Sequence, residues 1–250
     1  LDTSSYFLKT KESKEELKFN EWLAGVLDGD GYFLLTKKGY KSCEITMDVR
    51  DVSALNVIKN KYGGSLKLIS GSNAYRYKLR HDEGLIRLIN DVNGLIRNPT
   101  RLLQINKLCY KYNIKFKEPL PLLYNNGWFS GFIDSDGSIY YVESSQQIII
   151  SISQKNRFIL DDLIHLYGGR INKLSPKIDA FKYTIYRKNE ILYLIDNYFN
   201  KYPLRTAKIN RIKLIKDLYL YKEYRKLDIN KLKEYNIWMD IRNKWEKYKD

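Results

Sequence analysis

Trp22-Leu-Ala-Gly-Val-Leu-Asp-Gly-Asp-Gly-Tyr32 returns later in the chain as Trp128-Phe-Ser-Gly-Phe-Ile-Asp-Ser-Asp-Gly-Ser138, which puts Asp30 and Asp136 106 residues apart. Further landmarks follow in the same order. Tyr62-Gly63-Gly64 recurs as Tyr167-Gly168-Gly169, Ala74-Tyr-Arg-Tyr77 as Ala180-Phe-Lys-Tyr183, and Leu88-Ile89 as Leu194-Ile195, at offsets of 105 or 106. The chain is a tandem duplication of a unit of roughly 105 residues, too long for a solenoid repeat. Two related units in one chain predict pseudo-twofold symmetry.

Each unit reads αββαββα, an α+β architecture with antiparallel sheets. The motif helices span 20–29 and 126–135, with Asn20 and the Asn125-Asn126 pair as N-caps. Strands are expected at 32–38 and 43–49, then at 138–143 and 147–153. Helices follow at 51–62 and 156–167, each ended by a double glycine suited to a left-handed cap. Strands 65–70 and 74–80 have counterparts at 170–175 and 180–187. Helices 82–93 and 100–112 close the first unit, and 189–199 and 205–222 the second. The expected domains are 1–112, a linker at 113–124 marked by Pro119 and Pro121, 125–225, and a C-terminal extension at 226–250 holding a basic helix near 229–248.

Composition narrows the partner. The 250 residues include 44 Lys plus Arg against 29 Asp plus Glu, a net charge of +15. Such a balance favours a polyanion. No apolar run reaches the roughly 18–20 residues that cross a bilayer, so nucleic acid is preferred to membrane. The N-terminal segment has no apolar signal core, and Glu12, Glu15 and Glu16 argue against a transit peptide. Cys43 and Cys109 lack metal-ligand spacing and read as buried thiols. His81 and His165 are far apart. Hydrolytic chemistry would therefore rest on carboxylates, metal ions and basic side chains.

Gly25 and Gly29 in one motif, and Gly131 and Ser135 in the other, are small residues four apart. Each pair lies on one helix face and permits close backbone approach. The two motif helices should pack together, with Asp30 and Asp136 at their C-terminal ends. The helix dipole is negative there, so two acids side by side repel unless a cation lies between them. Mg²⁺ fits, because it takes oxygen ligands and keeps waters. An isolated Asp-Gly-Asp-Gly is usually a turn, but two copies at matching places are not. Asp28 and Asp134 are expected to hydrogen-bond at the helix ends. Gly29 and Ser135, beside the acids, are counted with the metal site.

The two segments resemble the LAGLIDADG motif, as Leu23-Ala-Gly-Val-Leu-Asp-Gly-Asp-Gly31 and Phe129-Ser-Gly-Phe-Ile-Asp-Ser-Asp-Gly137. The likeness covers nearly the whole chain and points to the single-chain, two-motif homing endonucleases. It implies two sheets forming a DNA-binding saddle and catalytic metals on Asp30 and Asp136. Two or three Mg²⁺ are implied, with Mn²⁺ or Ca²⁺ able to replace them in binding. It further implies a monomer that makes a staggered cut across the minor groove, leaving 3′ overhangs. The family also places a polar residue and a Lys near the site. Ile152-Ser-Gln-Lys155 supplies Gln154, with Val49 as its aligned residue in the first unit. Tyr202-Pro-Leu-Arg-Thr-Ala-Lys208 supplies Lys208, and Asn98-Pro-Thr-Arg101 offers Arg101 as a less clear partner.

The strand pattern suggests how DNA is read. Arg76, Lys78 and Arg80 alternate with Tyr75, Tyr77 and Leu79, and Lys182, Thr184 and Tyr186 alternate with Phe181, Tyr183 and Ile185. A basic strand face suits the major groove. Thr36, Lys37, Lys38, Tyr140 and Glu143 join these candidates. Two sheets of about one helical turn each imply an asymmetric duplex site on the order of 20 bp. The alternatives are an RNA maturase acting on a group I intron, or a non-cleaving DNA-binding protein on the same scaffold. Neither needs paired acids. An AT-rich codon bias, with the family's home in organellar introns, suggests a mitochondrion. The chain opens on Leu1 rather than Met, which marks it as a piece of a longer reading frame or an expression product.

Overall fold

The structure, a computed structural model, describes residues 3–227 and 232–248. The first motif helix, α1, spans Thr3–Asp30 and leads directly into strand β1, Gly31–Leu35. Strand β2 (Lys41–Asp48), helix α2 (Val52–Tyr62), strands β3 (Ser65–Leu68) and β4 (Ala74–Leu79), and helices α3 (Asp82–Val92) and α4 (Pro99–Lys111) follow. The second motif helix, α5 (Trp128–Asp136), runs into β5 (Gly137–Val142) in the same way. Then come β6 (Gln147–Gln154), α6 (Phe158–Tyr167), β7 (Arg170–Ser175), β8 (Ile178–Ile185), α7 (Lys188–Leu194) with a π-helical turn over Ile195–Phe199, α8 (Lys208–Tyr221) and α9 (Leu232–Glu246). No helix among the described residues is long and apolar enough to cross a membrane.

The fold is α+β with two four-stranded antiparallel sheets, ordered β1-β2-β4-β3 and β5-β6-β8-β7. Period-two alternation gives each sheet a buried face. In the first, Phe33, Cys43, Ile45, Met47, Tyr77 and Leu79 point inward to meet Leu55, Ile58, Leu88 and Leu108 in one core. In the second, Ile139, Ile148, Ile150, Ile152, Tyr183 and Ile185 do the same. A repeated bond closes each core: the hydroxyls of Tyr77 and Tyr183 donate to the carbonyls of Gly63 and Gly168, both at 2.8 Å.

By packing, the compact units are Leu1–Asp136 and Gly137–Asp250. The sequence repeat divides the chain at 125 instead. The gap arises because α5, the start of the second repeat, packs on α1.

Several expected boundaries move. Asn20 is not an N-cap, because α1 continues upstream to Thr3 and the Asn20 side chain accepts from Lys61 Nζ at 2.9 Å. Asn126 does cap, its Oδ1 accepting from Trp128 N at 2.8 Å. The first strand ends at Leu35, so Thr36, Lys37 and Lys38 lie in the hairpin turn, where Thr36 Oγ1 accepts from Tyr40 N at 3.0 Å. The Gly63 cap has φ of 79° but ψ of −156°, a positive-φ extended form rather than a left-handed helical one. Helix α9 buries Trp238, Ile241 and Trp245 within the second unit, so it is more than a basic appendage.

Candidate active site

Helices α1 and α5 touch backbone to backbone. A Cβ on Gly25 would lie 2.0 Å from the Trp128 carbonyl oxygen, and one on Gly131 would lie 1.8 Å from that of Trp22. No side chain fits at either place. A Cβ on Gly29 would meet Ser135 Oγ at 2.0 Å and the Asp136 carboxyl carbon at 3.1 Å. The backbone carrying Asp30 is thus brought against Asp136, each acid being the last residue of its helix. The Ser135 hydroxyl is within reach of the carbonyls of Phe132 (3.1 Å) and Gly131 (3.2 Å) in its own helix and of Gly25 (3.5 Å) across the contact. The small size of Ser135 and Gly29 lets the two helix ends approach.

The other two motif acids have a different task. Trp22 Nε1 donates to Asp134 Oδ2 at 2.8 Å, and Trp128 Nε1 donates to Asp28 Oδ2 at 2.7 Å. Each helix thus sends an indole into the other's buried carboxylate. Asp28 also accepts from the backbone N–H groups of Arg97 (2.7 Å) and Asn98 (3.0 Å), which fixes the start of α4. Burial pushes the Asp28 pKa up to about 7, opposed by the Trp128 indole and these two amides. Glu21, also buried, accepts from Gly127 N at 2.7 Å and so closes the N-terminus of α5. Burial raises its pKa as well, against the pull of that bond. Motif reading missed these cross-helix bonds. Their signal was the Trp-to-Asp spacing of six that occurs at the same place in both repeats.

Arg101 joins the acids. Its Nε donates to the Leu27 carbonyl at 3.1 Å and its Nη1 to Gln104 at 3.3 Å. Burial lowers its pKa, opposed by the negative charges of Asp28, Asp136 and Asp30. Those three charges mark Arg101 as the cation at the ends of the motif helices.

Three residues beyond Arg101, Gln104 accepts from Phe33 N at 3.1 Å. In the second unit Arg211, three beyond Lys208, donates to the Ile139 carbonyl. Phe33 and Ile139 are equivalent in the repeat, so Arg101 and Lys208 are twins. Lys208 opens α8 and is half-buried. Gln154 ends β6, opposite Phe181, whereas Met47 stands opposite Tyr75. The first-unit equivalent of Gln154 is therefore Met47, not Val49. The turn between β5 and β6 shifts the offset by one, and sequence alignment alone does not reveal it.

The outward sheet faces differ between halves. In the first, Tyr32, Glu44, Lys78 and Ser65 form one cross-strand row, and Thr46, Arg76 and Lys67 the next. Lys78 pairs with Glu44 at 2.6 Å. Ser65, Lys67, Arg76, Lys78 and Arg80 line an open groove of about 430 Å³. The second face carries fewer charged side chains, Arg170 and Lys182. Ser151, Thr184 and Arg170 form one row, in which Ser151 and Thr184 are buried, and Ser153, Lys182 and Asn172 form another. Lys182 donates to the Tyr140 hydroxyl at 3.2 Å, and Arg170 lies over the Tyr186 ring at 4.7 Å. Glu143 lies in the β5–β6 turn and is paired with Arg242 of α9.

No cluster of three or more His, Cys, Asp or Glu able to hold a metal occurs among the described residues. The donor set at the helix ends is instead two carboxylates, Asp30 exposed and Asp136 half-buried, with Arg101 beside them. Hard oxygen donors open to water suit a divalent cation that keeps some of its own waters.

Residues 129–219 match the model of the LAGLIDADG endonuclease family. The chain is 42% identical over 235 residues to the intron-encoded RNA maturase bI4 of Saccharomyces cerevisiae, covering 92% of this chain and 37% of that protein. It is 35% identical over 239 residues to the intron-encoded DNA endonuclease ai2b of Dictyostelium discoideum, covering 92% of this chain and 89% of that one. Among solved structures, the LAGLIDADG homing endonuclease I-GzeII in complex with its DNA target has the same fold, with a TM-score of 0.66 at 20% identity, covering 90% of this chain and 97% of that one.

Proposed function

The chain belongs to the LAGLIDADG endonuclease family, and on that premise we propose that it is a metal-dependent, site-specific DNA endonuclease that cuts both strands of a long asymmetric target. The observation that carries this reading is the pair of motif acids, Asp30 and Asp136, at the ends of helices held together through Gly25 and Gly131. The interface is separately tied by the indole bonds to Asp28 and Asp134.

Asp30 and Asp136 would hold divalent ions, two or three Mg²⁺, with Mn²⁺ or Ca²⁺ able to take their place in binding. When bound, such ions supply Lewis acidity to phosphate oxygens and lower the pKa of a water. Arg101, Lys208 and Gln154 orient that water or steady the charge on the phosphate. Arg76, Lys78, Arg80, Lys182, Thr184, Tyr140 and Tyr186 contact a duplex of roughly 20 bp. The strand turns add Thr36, Lys37, Lys38 and Glu143. The products carry 3′ overhangs, the protein acts as a monomer, and its gene lies in a mitochondrial intron.

A second reading has its own support. The 42% identity is to a protein named an RNA maturase, so assistance to intron splicing stands beside cleavage. Incubation with Mg²⁺ and a duplex library that includes the intronless allele tests the first reading. Staggered ends at one long site are expected. Failure to cut any duplex, with splicing of the intron transcript stimulated, would leave only the second.

A further inference from the structure

Helices α4 and α8 are repeat equivalents, but their outer sides are finished differently. In α8, Leu218 is buried and Leu214 half-buried on the side of Arg211, whose Nε donates to the Trp245 carbonyl of α9 at 3.4 Å. The equivalent residues of α4 are Lys107 and Lys111, and both are exposed. Leu103 is 68% exposed and Tyr110 is 88% exposed. Leu103, Lys107, Tyr110 and Lys111 stand at i, i+4, i+7 and i+8, so they share one face. Lys115 and Lys117 follow in the next segment, both exposed. Asp82, the acid at this end, is already bonded to Lys41 (2.7 Å) and Tyr112 (2.6 Å).

A face that had merely lost a covering helix would keep leucines where α8 keeps them. Lysines stand there instead, around a tyrosine ring open to solvent. Ammonium groups interleaved with an exposed aromatic fit a polyanion with unstacked bases. The inner side of α4 meets β1 through Gln104 and Phe33. The buried side of α4 is formed by Ile105, Leu108 and Cys109, and Leu103, Lys107 and Tyr110 lie on the opposite, exposed side.

We propose that the outer face of α4, with Lys107, Tyr110 and Lys111 at its centre, is a binding surface for looped or single-stranded RNA, separate from the sheet that meets DNA. This rests on the maturase reading above.

The test uses the whole chain, a transcript of the intron that carries its reading frame, and the DNA target duplex. The paired variant Lys107→Glu/Lys111→Glu should bind the transcript at least about tenfold more weakly, with the slope of log affinity against log salt shallower by about two. Tyr110→Ala should lose about tenfold through stacking, and Tyr110→Phe should restore it. DNA cleavage should be unchanged in all three. Lys59→Glu, on the exposed side of α2, should leave transcript binding intact. Wild-type binding with equal binding by the α4 variants would overturn the surface alone. An equal loss in Lys59→Glu would reduce it to general charge. A wild-type dimer broken by the α4 variants would assign the face to a second copy. Absence of transcript binding by the wild type would remove the surface together with the maturase reading.

Discussion

Where α8 turns Leu214 and Leu218 inward, α4 turns Lys107 and Lys111 to water. Where the first sheet carries Thr46, Arg76 and Lys67 in one cross-strand row, the second carries Ser153, Lys182 and Asn172. The inward residues of the halves are far more alike: Phe33 against Ile139, Ile45 against Ile152, Tyr77 against Tyr183. Close packing restricts what an inward position accepts. Outward positions are free to diverge, and a protein with two unlike faces is suited to two unlike half-sites. The motif helices are the exception, because there the halves face each other and the contact itself enforces likeness.

The severest test of that likeness is to remove one acid at a time. Asp30→Asn and Asp136→Asn should each slow cleavage on the order of a thousandfold or more, since a bound metal contributes several kcal/mol at the transition state. DNA affinity in a gel-shift assay should hold. If the acids act as one site, neither variant gives product; a nicked plasmid from one variant would show that each acid serves its own strand. Next come the glycines. Gly25→Ala and Gly131→Ala push a methyl into a facing carbonyl and should cost about 1–3 kcal/mol or more, or roughly 2–4 °C of melting temperature per kcal/mol. Equal losses would confirm a symmetric contact.

The indole bonds divide the halves more finely. In the fold, Asp28 keeps its proton up to about pH 7, against a usual value of 3.8. The folded state therefore holds more protons than the unfolded state between those values. Its stability is full below about 3.8 and falls as pH rises through about 7. Trp128→Phe removes an N–H that opposes the shift. It should cost about 1–3 kcal/mol and lose more at pH 8 than at pH 5, as read by urea unfolding at both. Trp22→Phe, which removes the indole bond to Asp134, provides the comparison. The smallest effects should lie on the sheets. Arg76→Ala should weaken DNA binding on all sequences and reduce the salt slope by about one. Tyr186→Phe should change base preference and leave the slope alone.

The place of the two acids at the helix ends was legible in the sequence because a motif and its repeat fix it. The approximate strand positions followed from alternation and turn residues. The register of β6 did not, because one residue in a hairpin turn moves every partner: Gln154 faces the place of Met47, which no comparison of side-chain types suggests. The upstream reach of α1 was hidden by Asn20, a good capping residue that serves Lys61 instead. Arg101 was readable only as a candidate, and its nearness to Asp30 and Asp136 needed the fold. Helix α9 announced its packing through Trp238, Ile241 and Trp245, but its overall charge hid them.

The seating of α5 against α1 has a consequence for synthesis. The face of α1 around Trp22 and Gly25 is completed only by residues made more than a hundred positions later. At about 5–20 residues per second, the ribosome leaves that face uncovered for roughly 5–20 s after it emerges. During that interval the nascent first half presents a glycine-lined apolar stripe to any neighbour, including the same stripe on another nascent chain. The chain must therefore either finish quickly or be shielded, and a cut through 113–124 would yield two pieces that need each other to close.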